Sequence, residues 1–271
     1  MPGILDQVIA DLLAETDSLE GVLRQVPFAQ WEKPTHAPGW AIRDQVAHLA
    51  HFDDTARLAI QDPEGFAAAA KRDRSAPPPP PGSEPAYLLA ARERPAPEIF
   101  DWWERSRHEL VGAAGTLEGD RRMPWFGPPM SGVSFLTARL MEAWSHGLDI
   151  VDVAGVMRSE SERLRHIAFL GFRTRGYSYQ TRGLEPNTEP VRVELTAPDG
   201  QLWVFGEANA EQVVRGPAAD FCAVVTRRRH VADTRLETEG DAAAEWMLFA
   251  QAYAGPPGEG RKPGQFPIAH P

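Results

Sequence analysis

The spacing of apolar residues divides the chain into a helical first part and a mixed second part. From Ile4 to Val26, apolar residues recur every three or four positions, which is the period of an amphipathic helix. The same period predicts helices over Ala41–Ile60, Pro97–Leu117, Ser131–Val153 and, in a shorter stretch, Glu160–Gly176. We therefore expect the first part to be a bundle built on four main helices.

The hydrophobic pattern changes from helical to alternating after residue 184. Apolar and polar residues alternate over 191–196, a Pro-Asp-Gly turn follows, and residues 202–205 are apolar again, which predicts a β-hairpin. Two short helices are predicted near Ala218–Arg227 and Asp241–Tyr253, with a strand between them at Thr234–Thr238. An irregular tail is predicted from Gly255. We place the domain boundary at 183/184, with a helical bundle over 1–183 and a small α+β domain over 184–271.

Two proline-rich segments interrupt the helical part. Residues 75–82 contain five successive prolines, which cannot be helical because each proline fixes φ and lacks a backbone donor, so an extended exposed loop is predicted. A second such loop is predicted around Pro124–Pro129, directly before the fourth helix. Both are expected to be insertions within the first domain.

Charge and cysteine content exclude several classes of function. The formal net charge is −10 and the longest basic run is Arg227-Arg228-Arg229, so we expect no nucleic-acid partner. A cytoplasmic protein without a membrane partner is expected, because neither a signal peptide nor a stretch of about 18 apolar residues is present. The single cysteine, Cys222, cannot form an internal disulfide or a multi-thiolate zinc site. A catalytic thiol would therefore have to come from outside the chain.

An acidic residue stands four positions before a histidine more often than chance predicts. With 8 histidines and 38 acidic residues in 271 positions, 8 × 38/271 gives roughly one such pair, and this spacing places both side chains on one helical face. Four such pairs lie within predicted helices: Asp44/His48, Glu104/His108, Glu142/His146 and Glu162/His166.

The neighbours of these pairs differ. Arginines surround Glu104/His108 and Glu162/His166, as is typical of solvated helix faces, whereas Glu142/His146 lies in a largely apolar stretch where a buried glutamate needs a cation or a donor. His48 has similarly apolar neighbours. Two interpretations remain open: the three residues hold a divalent metal, or a buried histidine–glutamate hydrogen bond joins two helices.

Two segments carry a family resemblance. Gly39–Leu49, GWAIRDQVAHL, and Met141–Ile150, MEAWSHGLDI, resemble the DinB-like four-helix superfamily, and within it the mycothiol-dependent maleylpyruvate isomerase type. The resemblance covers most of residues 1–180 and implies a divalent metal, Zn²⁺ or alternatively Ni²⁺, held by His48, Glu142 and His146. Residues 202–206 and 218–221 resemble the sterol-carrier-type domain that follows the bundle in these proteins. The fold class expected is α+β, a DinB-like four-helix bundle followed by a small sterol-carrier-like domain.

Several positions near these motifs need separate interpretation. Ala41 stands where a capping Ser or Thr is usual, and Asp44 is a candidate hydrogen-bond partner of His48. His51 stands where an apolar or aromatic residue is expected, and it could be a metal ligand, a proton carrier or a structural residue. Because the family uses an arginine of the second domain near the cleft, Arg228 is our candidate for binding a substrate carboxylate, with surface solvation as the alternative.

The resemblance also implies a reaction class. An external low-molecular-weight thiol, mycothiol in this family, would attack a small organic substrate and give either isomerisation or S-transfer. The alternatives are a metal-dependent, thiol-independent isomerase or cyclase, and a hydrophobic-ligand binding protein with a structural metal. We expect a small-molecule substrate and a monomer or homodimer. A group of larger side chains could line the pocket or belong to the core: Trp102, Trp103, Trp125, Phe126 and Met130.

Overall fold

The computed structural model describes residues 3–75, 83–118, 121–126 and 129–266. The chain forms two compact units that divide after Arg158. Among the described residues, no helix combines the length and apolar character that crossing a bilayer would require.

Four long helices form the bundle of the first unit, as the hydrophobic period predicted. They are α1 (Ile4–Leu23), α2 (Ile42–Gln61), α5 (Ala96–Ala114) and α6 (Gly132–Ala154). Helix α2 packs on α5 and α6, and α1 packs on the same two helices. Their apolar faces meet in a core that includes Leu19, Val46, Trp103 and Ile150. This arrangement places α2 beside α6, the two helices that carry the family motifs.

Local interactions set the ends of the two motif helices. Ala41 precedes α2 without a side-chain acceptor, and the Asp44 carboxylate instead accepts the backbone N–H of Ala41 at 2.8 Å. Helix α6 has a conventional start, because the Ser131 hydroxyl accepts the N–H of Ser134. It ends at Gly155, whose φ of +70° favours glycine.

The hydrophobic pattern missed two shorter helices, α3 (Pro63–Ser75) and α4 (Ala86–Arg92). Pro63 begins α3, where its missing N–H costs nothing, and four alanines follow in the same helix. Ser75 therefore belongs to this helix and not to the exposed loop that was predicted for residues 75–82. Residues 76–82 lie outside the described part. The second proline-rich segment lies between two short antiparallel strands, β1 (Arg122–Met123) and β2 (Met130–Ser131).

The second unit is a four-stranded mixed sheet with helices. Strands β3 (Val191–Thr196) and β4 (Leu202–Phe205) pair antiparallel, which confirms the predicted hairpin. The sheet order is β4-β3-β5-β6, and the missed strand β5 (Gln212–Pro217) runs parallel to β3. The remaining elements are α7 (Leu164–Arg173), α8 (Arg175–Gln180), α9 (Ala218–Val225), β6 (Glu237–Glu239) and α10 (Asp241–Phe249). Helices α9 and α10 pack on the sheet, so the α+β prediction is confirmed.

The division after Arg158 differs from the boundary predicted at 183/184. Helices α7 and α8 belong to the second unit because their side chains pack there. Gly171 lies so close to Val225 that a Cβ atom would come within 2.7 Å of that side chain, and Ser178 Oγ accepts the N–H of Gln251 at 2.9 Å. A helical period shows that a segment is a helix, but it does not show which core the helix joins.

Candidate metal centre

Helices α2 and α6 bring together the three residues that the motifs predicted as metal ligands. Glu142 Oε2 lies 3.0 Å from His146 Nε2 and 3.9 Å from His48 Nε2. One donor atom from each residue lies within 4.8 Å of the other two. The side chains of His48 and Glu142 remain 17% and 22% exposed, so an ion can reach the group from solvent.

The remaining nitrogen of each histidine has its own hydrogen-bond partner. His48 Nδ1 lies 2.7 Å from the hydroxyl of Tyr87, and His146 Nδ1 lies 2.5 Å from Oε1 of Gln45. The Gln45 amide is itself oriented, because its nitrogen donates to Thr35 Oγ1 at 2.8 Å. Such partners fix the ring orientation and leave Nε2 of both histidines directed at Glu142.

The partners of His146 test whether a cation fits. Both ring nitrogens face oxygen acceptors, Gln45 on one side and Glu142 on the other. A neutral imidazole has one N–H and satisfies only one of them, whereas a cation between Nε2 and Glu142 would satisfy both atoms. The charges and hydrogen-bonding capacities of the group therefore fit a metal ion.

The donor set also fits a particular kind of metal. Ligand atoms about 2.0 Å from a tetrahedral ion lie roughly 3.3 Å apart, close to the 3.0 and 3.9 Å distances from Glu142 Oε2. Two imidazoles and one carboxylate are the ligands of catalytic zinc sites with an open fourth position, and nickel also accepts imidazole.

Burial and mutual charge adjust the protonation of the ligands. Burial, followed by the charge of His146, lowers the pKa of His48 to about 3, which keeps this ring neutral and able to bind a metal at neutral pH. Burial alone would raise the pKa of Glu142, but hydrogen bonds from His146 and His48 hold it well below its usual range. Glu142 is therefore an anion at neutral pH.

The other residues singled out in the sequence lie in different surroundings. The His51 ring stacks parallel on Tyr87 with centroids 4.1 Å apart, and His51 does not belong to the group of three donors. Arg228 follows α9 in the second unit, where its guanidinium donates to the carbonyl of Thr226. The roles of His51 as a proton carrier and of Arg228 as a carboxylate anchor stay predictions.

The structure corrects the interpretation of Asp44 as a partner of His48. Its carboxylate binds the Arg92 guanidinium at 2.9 Å and the Ala41 N–H, so it holds the start of α2 against α4. The two arginine-flanked pairs are only partly solvated: His108 and Glu162 are exposed, but Arg107, one of the flanking arginines, is buried.

Sequence reasoning missed the residues that support the ligands. Tyr87 lies on α4, which the hydrophobic pattern did not predict, and Gln45 is a polar residue buried on α2. Asp53 and Arg139 form a buried ion pair between α2 and α6 with a shortest N–O distance of 2.9 Å. For Gln45 and Arg139, the only sequence signal is a polar residue one helical turn before a predicted ligand, in a stretch whose apolar neighbours indicate burial.

Comparison with known protein families gives the same division of the chain. Residues 12–151 match the mycothiol maleylpyruvate isomerase N-terminal domain, and residues 164–244 match the C-terminal domain of that family. The chain belongs to the mycothiol maleylpyruvate isomerase family. This membership confirms the resemblance that the two sequence motifs indicated.

The chain is also similar to two proteins of known sequence and to a solved structure. Two Mycobacterium tuberculosis proteins, uncharacterized protein MT0041 of strain CDC 1551 / Oshkosh and uncharacterized protein Rv0036c of strain H37Rv, are each 42% identical over 256 residues. Each match covers 93% of this chain and 97% of the relative. The crystal structure of the mycothiol-dependent maleylpyruvate isomerase matches with a TM-score of 0.59 at 16% identity, covering 88% of this chain and 93% of that one. At this identity the structural match establishes the shared fold.

Proposed function

We propose that this protein is a metal-dependent enzyme that uses a low-molecular-weight thiol, mycothiol first among the candidates, to isomerise a small organic substrate or to transfer the thiol to it. The observation that carries the proposal is the convergence of His48, Glu142 and His146 at a partly exposed position. Membership of a family named for a mycothiol-dependent isomerase supports the thiol.

The three ligands would leave one coordination position free for a small molecule. When bound there, a divalent metal, Zn²⁺ or Ni²⁺, would supply the positive charge that favours a thiolate at neutral pH. Gln45 and Tyr87 would keep the two imidazoles oriented during the reaction, because each holds the ring nitrogen that does not face Glu142.

The chain itself offers no suitable thiol. Cys222 is its sole cysteine, and the structure buries it completely in α9, with its Sγ atom 3.5 Å from the carbonyl of Leu164. A buried thiol in apolar surroundings is poorly reactive because its thiolate is not solvated. An external thiol is therefore the simplest nucleophile, and we assign His51 as proton carrier and Arg228 as carboxylate anchor within the same proposal.

The proposal is tested by metal analysis followed by calorimetry. Protein reconstituted with Zn²⁺ or Ni²⁺ is expected to hold about one ion per chain and to bind mycothiol in preference to glutathione and bacillithiol. The His146→Ala variant should bind none of the three thiols. A metal-loaded protein that binds no thiol would favour the thiol-independent isomerase or cyclase. A protein that takes up no metal would overturn the proposal as a whole.

A further inference from the structure

Aromatic rings extend from the metal centre toward the surface. The Phe52 ring lies 4.6 Å from the ring of His48, and it also contacts Trp125 and Phe126, with centroids 6.3 and 6.1 Å away. We call Phe52, Trp125 and Phe126 the aromatic rim. All three rings retain exposed surface, and Phe126 is 44% exposed. The rim therefore presents aromatic surface to solvent beside the candidate metal ligands.

The inner side of the rim is supported by the core. Phe66, which is buried, stacks on Trp125 at 5.5 Å with nearly parallel rings, and buried Phe135 meets Trp125 edge to face at 5.1 Å. Rings that are held from behind lose little further freedom when a ligand contacts their outer side. The packing therefore fixes Trp125 while the outer side of the rim stays accessible.

The chemistry around the metal centre favours a particular ligand. The cationic side chain of Arg139, one helical turn before Glu142, is buried and bound by Asp53. The rings of four described residues contact the ring of His48: Trp40, Phe52, Tyr87 and His146. Aromatic faces bind other aromatic rings or organic cations. Because a divalent ion beside the rim would repel a cation, the favoured ligand is an aromatic group without a positive charge.

We propose that the aromatic rim binds a substrate that carries an aromatic ring or a flat conjugated apolar group, neutral or anionic, next to the group that reaches the metal. This proposal rests on the proposed function, since it assigns the substrate class of the same site. Under this proposal Trp125 and Phe126 line the substrate pocket, which is one of the two interpretations that the sequence left open. Trp103 is buried and belongs to the core.

Two hydroxamates test the rim independently of turnover. Acetohydroxamate and benzohydroxamate bind a metal through the same group and differ in the phenyl ring. The zinc-loaded protein is expected to bind benzohydroxamate about tenfold more tightly, because one well-packed ring pair is worth about that factor. Calorimetry measures both affinities. Equal affinities in the wild-type protein would overturn the proposal.

Phe126→Ala and Phe28→Ala form a matched pair for this test. Both rings are 44% exposed, but Phe28 contacts Trp31 and Phe100 instead of Phe52. We expect Phe126→Ala to reduce the preference for benzohydroxamate below about threefold with the same affinity for acetohydroxamate, and Phe28→Ala to keep it. An equal change in both variants, or none in Phe126→Ala, would overturn the proposal.

The two proposals fail in distinguishable ways. If the thiol chemistry is wrong, mycothiol does not bind, yet the hydroxamate preference remains and supports the rim. If the protein takes up no metal, neither hydroxamate binds, and the rim is tested on metal-free protein with fluorobenzene followed by fluorine NMR. Line broadening that is lost in Phe126→Ala and kept in Phe28→Ala supports the rim, and any other pattern overturns it.

Discussion

Two glutamate–histidine pairs with identical spacing lie in opposite environments. On α6, His146 is only 7% exposed, and its ring contacts Glu142 and Gln45. On α5, His108 is exposed and its Nδ1 faces the backbone carbonyl of Glu104, while the carboxylate of Glu104 binds Arg24 at 3.0 Å. Spacing places two side chains on one helical face, but the neighbouring helix decides whether they form a site.

The largest expected effect is the loss of metal in His146→Ala. Removing one of three ligands leaves two, which is too few to hold a labile ion against water and buffer, so we expect less than about a tenth of an ion per chain. His108→Ala should retain the wild-type content. Elemental analysis of both variants after reconstitution measures the difference.

Equal metal loss in the two variants would show that the spacing, and not burial, determines binding. Full turnover by metal-free His146→Ala would contradict a catalytic metal and leave a structural role for the ion.

A second large effect, on stability, is expected when the ion pair near Glu142/His146 is broken, and a small one when the ion pair of Glu104 is broken. Asp53→Ala would leave Arg139 buried without its partner, and we expect a loss of about 3–5 kcal/mol in the free energy of unfolding. Arg24→Ala removes the exposed partner of Glu104, and its cost should not exceed about 1 kcal/mol. Urea denaturation measures both, and similar losses would refute the contrast in burial.

A pH dependence of stability is expected from His48. Since the pKa of His48 is lowered to about 3, below an unfolded value of about 6.5, the unfolded chain binds more protons between these limits. The stability of metal-free protein is therefore complete above this window and falls as the pH drops through it.

The variant His48→Gln isolates this contribution. Between pH 7 and about pH 4.5, His48→Gln should lose roughly 2–3 kcal/mol less stability than the wild-type protein. Denaturation of both proteins at both pH values measures the slopes. Parallel curves for the two proteins would mean that His48 is not protected from protonation.

The smallest effect is expected at Tyr87. Replacing it with phenylalanine removes the hydroxyl that lies 2.7 Å from His48 Nδ1, while the ring that stacks on His51 is kept. Loss of such a supporting hydrogen bond typically lowers metal affinity 10–100-fold, and we expect about tenfold because the ligands themselves remain. Competition with a chelator measures this affinity. An unchanged affinity would show that packing alone orients His48.

Much of the fold could be predicted from local pattern. The four long helices and the β3–β4 hairpin follow from a clear helical period and a clear alternation. Helix α4 and strand β5 were missed because a short segment carries too few periods to be distinguished from a loop. The boundary predicted at 183/184 differs from the division after Arg158 because α7 and α8 are helical but pack in the second unit.

The candidate ligands were predictable, but most of their supporting residues were not. His48, Glu142 and His146 stand in sequence motifs with apolar neighbours, which indicate burial. Tyr87 and Asp53 have no such signal, since one follows a proline-rich segment and the other is one of many acidic residues. Asp44 shares the four-residue spacing with His48, yet it binds Arg92 on another helix.

The sequence by itself determined the four long helices, the residue types available as ligands and the family, because these depend on local periodicity and on motifs within single segments. Only the tertiary structure decided how the ligands meet and which residues support them. It brought His48 of α2 within 3.9 Å of Glu142 on α6 and placed Tyr87 and Gln45 behind the two histidines. These contacts join residues far apart in the chain, and they follow from helix packing, which no local pattern encodes.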